Sequence, residues 1–237
     1  MRQLLANGAQ QFDLALSEAQ LDAFERYSRE LIAWNERVNL TRIVAPGEIV
    51  TKHFLDSLSV SLVLPELRSP FAIIDVGSGA GFPGLPLKIA LPDIALTLLE
   101  ATAKKTAFLE HLVGVLGLTG VTILTARAET VGRRPEKREQ YDAAVARAVS
   151  ALSVLVEYTL PLVKVGGWII LQKGQDPTSE LKEAANALQI LGGRVSDVRP
   201  VPISGLEATR HLVVIEKNKP TPESYPRRPG LPAKKPL

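Results

Sequence analysis

The run Ile73-Ile74-Asp75-Val76-Gly77-Ser78-Gly79-Ala80-Gly81-Phe82-Pro83-Gly84 carries the densest chemical signal in the chain. The Asp75 carboxylate closes an apolar stretch, and Gly77, Gly79, Gly81 and Gly84 follow it. Glycine adopts positive φ without steric cost and lets backbone approach a ligand closely. A second carboxylate, Glu100, closes the next apolar run, Ile94–Leu99, where it can accept the paired hydroxyls of a ribose. The elements needed to hold these groups are a buried strand before the loop and a helix after it, with Pro86 suited to that helix's first turn. Strand, glycine loop and helix in that order make a nucleotide- or cofactor-binding corner faced by helix N-terminal N–H groups.

Two cofactor classes compete for this corner, beside the plain alternative of a glycine turn with no ligand. Gly79-x-Gly81-x-x-Gly84 matches the dinucleotide fingerprint, with Glu100 near the spacing of a ribose-binding acid. The order Asp75-Val76-Gly77-x-Gly79 instead resembles motif I of class I methyltransferases, which bind S-adenosylmethionine and hold its ribose at the position of Glu100. A dehydrogenase also needs hydride-transfer machinery, and no Tyr-x-x-x-Lys pair is present to supply it. The expectation is therefore S-adenosylmethionine rather than NAD.

Composition narrows the chemistry further. The chain's 237 residues suffice for one α/β domain with a smaller appendage, and 46% hydrophobic residues argue against bulk disorder. With no cysteine there is no disulfide, thiolate metal site or thiol nucleophile, and no covalent thiol route to pyrimidine C5 methylation. His53, His111 and His211 are widely scattered, so no metal site is expected. No apolar run reaches membrane-spanning length, and no signal-peptide core follows Arg2, so a cytoplasmic protein is expected.

The net charge of +3 is uneven. Residues 217–237 carry six basic side chains against Glu223, which leaves the rest of the chain at −2. This Pro-rich end is expected to be extended or disordered, serving either non-specific RNA contact or solubility. Removal of residues 218–237 is expected to leave chemistry intact and mainly to lower RNA affinity at low salt.

From Ser17 to Val38 apolar residues recur at helical spacing (Leu21, Phe24, Tyr27, Leu31, Trp34), and Ser17 with Gln20 forms a capping-box signature. Further helices are expected over Pro46–Lys52 and His53–Leu64, and Pro65 to Pro70 mark a boundary. Beyond it, strand candidates are Phe71–Val76, Ile94–Leu99, Val121–Thr125, Ala143–Ala146, Trp168–Gln172, Val195–Val201 and His211–Glu216. Helices near Leu85–Leu91, Lys104–Leu116, Leu152–Val163 and Ser179–Leu191 lie between them. The alternation predicts an α/β fold with a Rossmann-like, mostly parallel seven-stranded sheet and a helical N-terminal extension. The expected division is a helical extension over 1–67, a methyltransferase domain over 68–217 and a basic tail over 218–237.

Several separated motifs then coincide. Trp34-Asn35-x-x-x-Asn39-Leu40-Thr41, His53-x-x-Asp56-Ser57, the Asp75 loop, Ala146-Arg147-Ala148 and Lys173-Gly174 occur in the order and spacing of one family. From about residue 15 to 216 the chain resembles the bacterial 16S rRNA 7-methylguanosine methyltransferases, also called glucose-inhibited division protein B. The resemblance implies methyl transfer from S-adenosylmethionine to N7 of a guanine, 527 in the usual rRNA numbering, of small-subunit rRNA. It implies a 16S rRNA partner within a small-subunit particle, with no metal, no membrane and a monomeric enzyme. It places cofactor contacts at Gly77, Phe82, Glu100, Ala101, Thr102, Ala128, Glu129 and Arg147, and close backbone approach adds Gly79.

Guanine N7 bears a lone pair and no proton, so no catalytic acid or base is required; alignment and electrostatics suffice. Arg147, Lys173 and Asn39 are the candidates for guanine positioning, and Lys104, Arg127, Lys173 and Arg210 for RNA contact. The absence of an Asp-Pro-Pro-Tyr motif after the fourth strand speaks against exocyclic amine methylation. Thr41 and Asp56 are expected with Asn39 in a buried polar wall, whereas Asn35 and His53 read as capping and packing residues. Arg133-Arg134-x-x-Lys137-Arg138 reads as an exposed loop.

Overall fold

The computed structural model describes residues 1–64, 71–147 and 150–237. The expected boundary between residues 67 and 68, the Pro65–Pro70 punctuation and Ala148 lie outside these described residues.

Helix α1 (Arg2–Ala9) precedes α2 (Glu18–Asn35). The capping box at the start of α2 forms: Ser17 Oγ accepts the Gln20 N–H, and Gln20 Oε1 accepts the Ser17 N–H. This satisfies two N–H groups that the first helical turn leaves unpaired. Leu21, Phe24, Tyr27 and Leu31 are buried along one stripe of α2, as their three- and four-residue spacing requires. Asn35 Oδ1 accepts the N–H groups of Leu40 and Thr41 at 2.8 and 2.9 Å, fixing the turn after the helix. The two helices expected over Pro46–Leu64 are one helical stretch of changing pitch. It comprises α3 (Pro46–Ile49), a π-turn (Val50–Leu55), α4 (Asp56–Leu58) and a 3-10 segment (Ser59–Val63).

The rest alternates strands and helices. In chain order these are β1 (Ala72–Val76), α5 (Gly84–Ala90), β2 (Ala95–Glu100), α6 (Ala103–Leu116), β3 (Val121–Thr125) and α7 (Ala128–Val131). Then follow β4 (Tyr141–Arg147), α8 (Leu152–Thr159), β5 (Val163–Lys173), α9 (Thr178–Glu183), α10 (Ala185–Leu191), β6 (Gly193–Val201), β7 (Arg210–Lys217) and α11 (Leu231–Lys234). The seven strands stand in the order β3-β2-β1-β4-β5-β7-β6, with β7 antiparallel to both of its neighbours. The order reverses between β1 and β4, and at such a switch point ligands gather beyond the strands' carboxyl ends.

Both faces of the sheet are covered. Ile73, Val145, Ile170 and Leu212 pack with Phe24, Tyr27, Phe54 and Phe108 from the N-terminal helices and α6. Ile74, Ala144, Ile169 and Val213 point the other way, onto Leu152, Leu155 and Leu191 of α8 and α10. Neighbouring strand residues fall into opposite layers because side chains alternate across a pleated strand.

The C-terminal end departs from expectation. Residues 218–237 fold back onto the body instead of standing extended. Arg227 forms a forked ion pair with Glu157, Nε to Oε1 at 2.9 Å and Nη2 to Oε2 at 2.6 Å. Arg138 donates to the carbonyls of Tyr225 (2.7 Å) and Thr221 (2.5 Å), and Arg133 donates to that of Pro226 (2.7 Å). Two members of the basic run expected as an exposed loop thus clasp the tail. Prolines supply no N–H and start with little backbone freedom to lose, so carbonyl-directed arginines suffice to hold such a segment.

Candidate active site

The glycine loop is built from its contacts with β2. The N–H groups of Gly77 and Ser78 donate to the Leu99 carbonyl, and that of Gly79 donates to Glu100 Oε2 at 3.0 Å. Gly81 has φ +98°, and a Cβ there would lie 2.5 Å from Leu85 and 2.7 Å from the Tyr27 hydroxyl, so only glycine fits. A Cβ at Gly84 would lie 2.8 Å from Asp75 Oδ2, the oxygen that accepts the Gly84 N–H. Asp75 thereby pins the start of α5. Its carboxyl is fully buried with Oδ1 unpartnered, and burial pushes its pKa up to about 7.

A cavity of about 520 Å³ opens above these strand ends. Gly77, Gly79, Phe82, Glu100, Ala101, Ala128, Glu129 and Arg147 all line it, and so does Arg127. Glu100 sits in the middle of this set. Its Oε1 accepts the Thr102 N–H at 2.8 Å while Oε2 accepts that of Gly79, and each oxygen keeps a further lone pair for a diol. These carboxylate acceptors, lining one cavity with the glycine loop and Ala128, fit a nucleoside whose ribose would lie at Glu100. Thr102 contributes its N–H to Glu100 and does not line the cavity.

Arg147 is held rigidly. Nη1 donates to Asp56 Oδ2 (2.9 Å) and to the Lys52 carbonyl (3.0 Å), Nη2 lies 3.1 Å from His53 Nδ1, and Cζ stands 4.8 Å over the Phe82 ring. Nδ1 has two neighbours, Arg147 Nη2 at 3.1 Å and the Lys52 carbonyl at 3.2 Å. A guanidinium only donates, so the contact to Arg147 is a hydrogen bond when Nδ1 accepts and the imidazole proton is on Nε2, facing Thr41 Oγ1 at 2.9 Å. Burial and the adjacent Arg147 charge lower the His53 pKa to about 3, which leaves the ring neutral. His53 stacks on Phe82 at 4.4 Å and lines the cavity. The packing role expected for His53 is therefore incomplete: it is a wall of the site. The π-turn that carries it is a device often found at functional sites.

Other expected site residues lie elsewhere. Lys173 is outside the cavity, its ammonium paired with Glu180 (2.6 Å) and the Ser150 carbonyl (3.2 Å). In this structure its ammonium is turned to those partners and not to the cavity. Asn39 is exposed rather than part of a buried wall, and its neighbour Leu40 lines the cavity instead. Lys104 is exposed on α6, while Lys105 takes the lining position. Arg210 borders a second cleft with Thr51 and Lys52; its Nε lies 3.5 Å from Asp56 Oδ1 without forming a hydrogen bond. Tyr158, Ser150 and Ala233 line the main cavity and carried no sequence signal. Among the described residues, no helix is long and apolar enough to cross a membrane, and no group of three or more His, Asp or Glu converges as a metal site.

Residues 20–213 match the family model described as rRNA small subunit methyltransferase G. The chain is 52% identical over 234 residues to ribosomal RNA small subunit methyltransferase G of Roseiflexus sp. (strain RS-1), covering 99% of each. It is 50% identical over 234 residues to that of Chloroflexus aggregans, covering 99% of this chain and 97% of the relative. Among solved structures, the YcgJ protein from Bacillus subtilis superposes with a TM-score of 0.53 at 14% identity, over 69% of this chain and 98% of that one. TrmN from Thermus thermophilus gives 0.52 at 19% identity, over 71% of this chain and 53% of that one. These likenesses, with the strand order and the antiparallel β7, give the class I S-adenosylmethionine-dependent methyltransferase fold. On the extent of the family match and the near-full-length identity, the chain belongs to the rRNA small subunit methyltransferase G family.

Proposed function

We propose that this protein binds S-adenosylmethionine in the main cavity and transfers its methyl group to N7 of a guanine in 16S rRNA, the position numbered 527 in the usual rRNA numbering. The observation that carries the reading is Glu100. Its carboxylate is seated by the Gly79 and Thr102 N–H groups at the carboxyl edge of β2, beside the glycine loop and within the same cavity as Arg147. Bound S-adenosylmethionine supplies an electrophilic methyl carried on a sulfonium.

The chain's residues supply position and charge. Glu100 takes the ribose hydroxyls, and Ala128 with Glu129 bounds the base, Glu129 accepting from its exocyclic amine. Gly77 and Gly79, both lining the cavity without side chains, let the amino-acid end approach the loop backbone closely. Guanine N7 offers a lone pair, so the displacement needs no proton transfer, and neutral His53 has no acid–base part in it. Methyl transfer would leave positive charge on the purine, and buried Asp56, which does not itself line the cavity, acts by holding Arg147. Arg147, fixed by three partners, orients the guanine rather than swinging toward it. Arg127 and Lys105 at the rim meet phosphate.

In an A-form duplex N7 faces a deep, narrow groove, so the guanine is met in a loop or displaced conformation. With the body at −2 outside the basic tail, recognition depends on a local rim and on folded rRNA within a small-subunit particle. The expected setting is the cytoplasm, with the protein acting as a monomer. Titration calorimetry tests the cofactor half: S-adenosylmethionine and S-adenosylhomocysteine bind and NAD does not. Binding of NAD alone would return the loop to the dinucleotide reading.

A further inference from the structure

We propose that the C-terminal segment Thr221–Leu237 is a wall of the cofactor cavity, with Gly230 positioning the Glu129 carboxylate. The inference rests on the reading that this cavity takes an adenine nucleoside.

Glu129 is buried at the start of α7, where its Oε1 accepts the Gly230 N–H at 2.8 Å. A buried carboxylate needs its lone pairs filled, and this bond takes one of them while fixing the plane of the group. The remaining acceptor sites of Glu129 are left for a donor in the cavity that it lines. Gly230 has φ +80°, a left-handed turn at the start of α11 that a side chain would strain. Three residues later Ala233 lines the same cavity.

The anchor for this turn lies next to the site. Glu157 on α8 has no exposed surface, and it accepts the Arg227 backbone N–H at 2.8 Å beside the forked guanidinium. A carboxylate buried to that degree requires an opposite charge with matched geometry, which Arg227 provides. The adjacent residue, Tyr158, lines the cavity. One turn of α8 thus grips the C-terminal segment and bounds the cofactor site at once. With this arrangement, removing the tail is expected to weaken cofactor binding, where the sequence alone predicts intact chemistry.

The chain has no cysteine, so Ala233→Cys creates a single thiol while keeping every anchor. S-adenosylhomocysteine is expected to slow maleimide labelling of that thiol, with half-protection at its own dissociation constant. In parallel, Arg227→Ala and a chain ending at Asn218 are expected to bind S-adenosylhomocysteine about tenfold more weakly or worse, the scale of one or two lost charge-assisted hydrogen bonds. Both are also expected to lose much of the preference for adenine over the hypoxanthine analogue, a readout that a merely structural role would not move. Circular dichroism checks their folding; if either unfolds, the thiol measurement decides, because that chain retains Arg227 and Gly230. Binding to Ala233→Cys without protection overturns the inference and leaves the cofactor reading intact. Failure of the unaltered chain to bind S-adenosylhomocysteine removes both.

Discussion

The Tyr27 hydroxyl donates a 2.6 Å hydrogen bond to the carbonyl of Ala80, inside the glycine loop, and its ring stacks on Phe82 at 5.3 Å. An N-terminal helix therefore supports the loop that shapes the cofactor cavity. Removing the hydroxyl leaves a buried carbonyl unpaired. Tyr27→Phe is expected to cost about 1–3 kcal/mol of stability in urea unfolding and to weaken S-adenosylhomocysteine binding several-fold. An unchanged affinity would mean that the loop holds its shape without α2.

Glu100 joins the loop to β2 through both oxygens. Glu100→Ala is expected to weaken cofactor binding by about 1.5–3 kcal/mol, the range for charge-assisted hydrogen bonds. Calorimetry on a folded variant measures this directly. Equal binding by both proteins would place the ribose elsewhere.

Arg147 and Asp56 are coupled in a buried pair, with side-chain exposures of 13% and 6%. Truncating the arginine leaves buried Asp56 with no hydrogen-bonded cation and only Arg210 Nε at 3.5 Å, so Arg147→Ala is expected to lose activity and up to about 3–5 kcal/mol of stability. Arg147→Lys keeps the charge but cannot make the fork to Asp56, Lys52 and His53. It is expected to stay folded and to turn over far more slowly. Full activity in that variant would assign Arg147 a purely structural part.

Asp75 and His53 pull stability in opposite directions with pH. The Asp75 pKa is raised by burial to about 7, so its contribution is greatest below the ordinary carboxylate range and is lost as pH rises toward 7. The His53 pKa is lowered by burial to about 3, so its contribution is full above about 6.5 and is lost as pH falls toward 3. Their opposing slopes mask each other between about pH 4 and 6.5. Asp75→Asn is expected to unmask the histidine, giving unfolding free energies that climb more steeply with pH across this window than those of the unaltered chain. Parallel pH profiles for the two proteins would contradict the assignment.

Much of the fold and half of the site lie in short, local patterns. The Asp75 loop and Glu100 end two consecutive strands, and strand-ending positions can be found wherever an apolar run stops. Ala128-Glu129 follows β3 for the same reason. What the sequence conceals depends on distant packing. His53 enters the wall because Arg147, 94 residues away, draws it over Phe82. Lys173 ends β5 as expected, yet the turn after it brings Glu180 within reach and takes up its charge. Ala233 and Gly230 belong to a tail whose prolines and basic residues read as unstructured. Its partners, Glu157, Arg133 and Arg138, are spread over segments with no local signature of an interface.

The reaction itself is open to direct measurement. Small-subunit particles from a strain lacking this enzyme, incubated with the protein and methyl-labelled S-adenosylmethionine, are expected to incorporate label into 16S rRNA. Nuclease digestion of that rRNA is expected to release the label as 7-methylguanosine. Label appearing on another nucleoside or in a protein, or no label from a chain that binds the cofactor, would contradict the account.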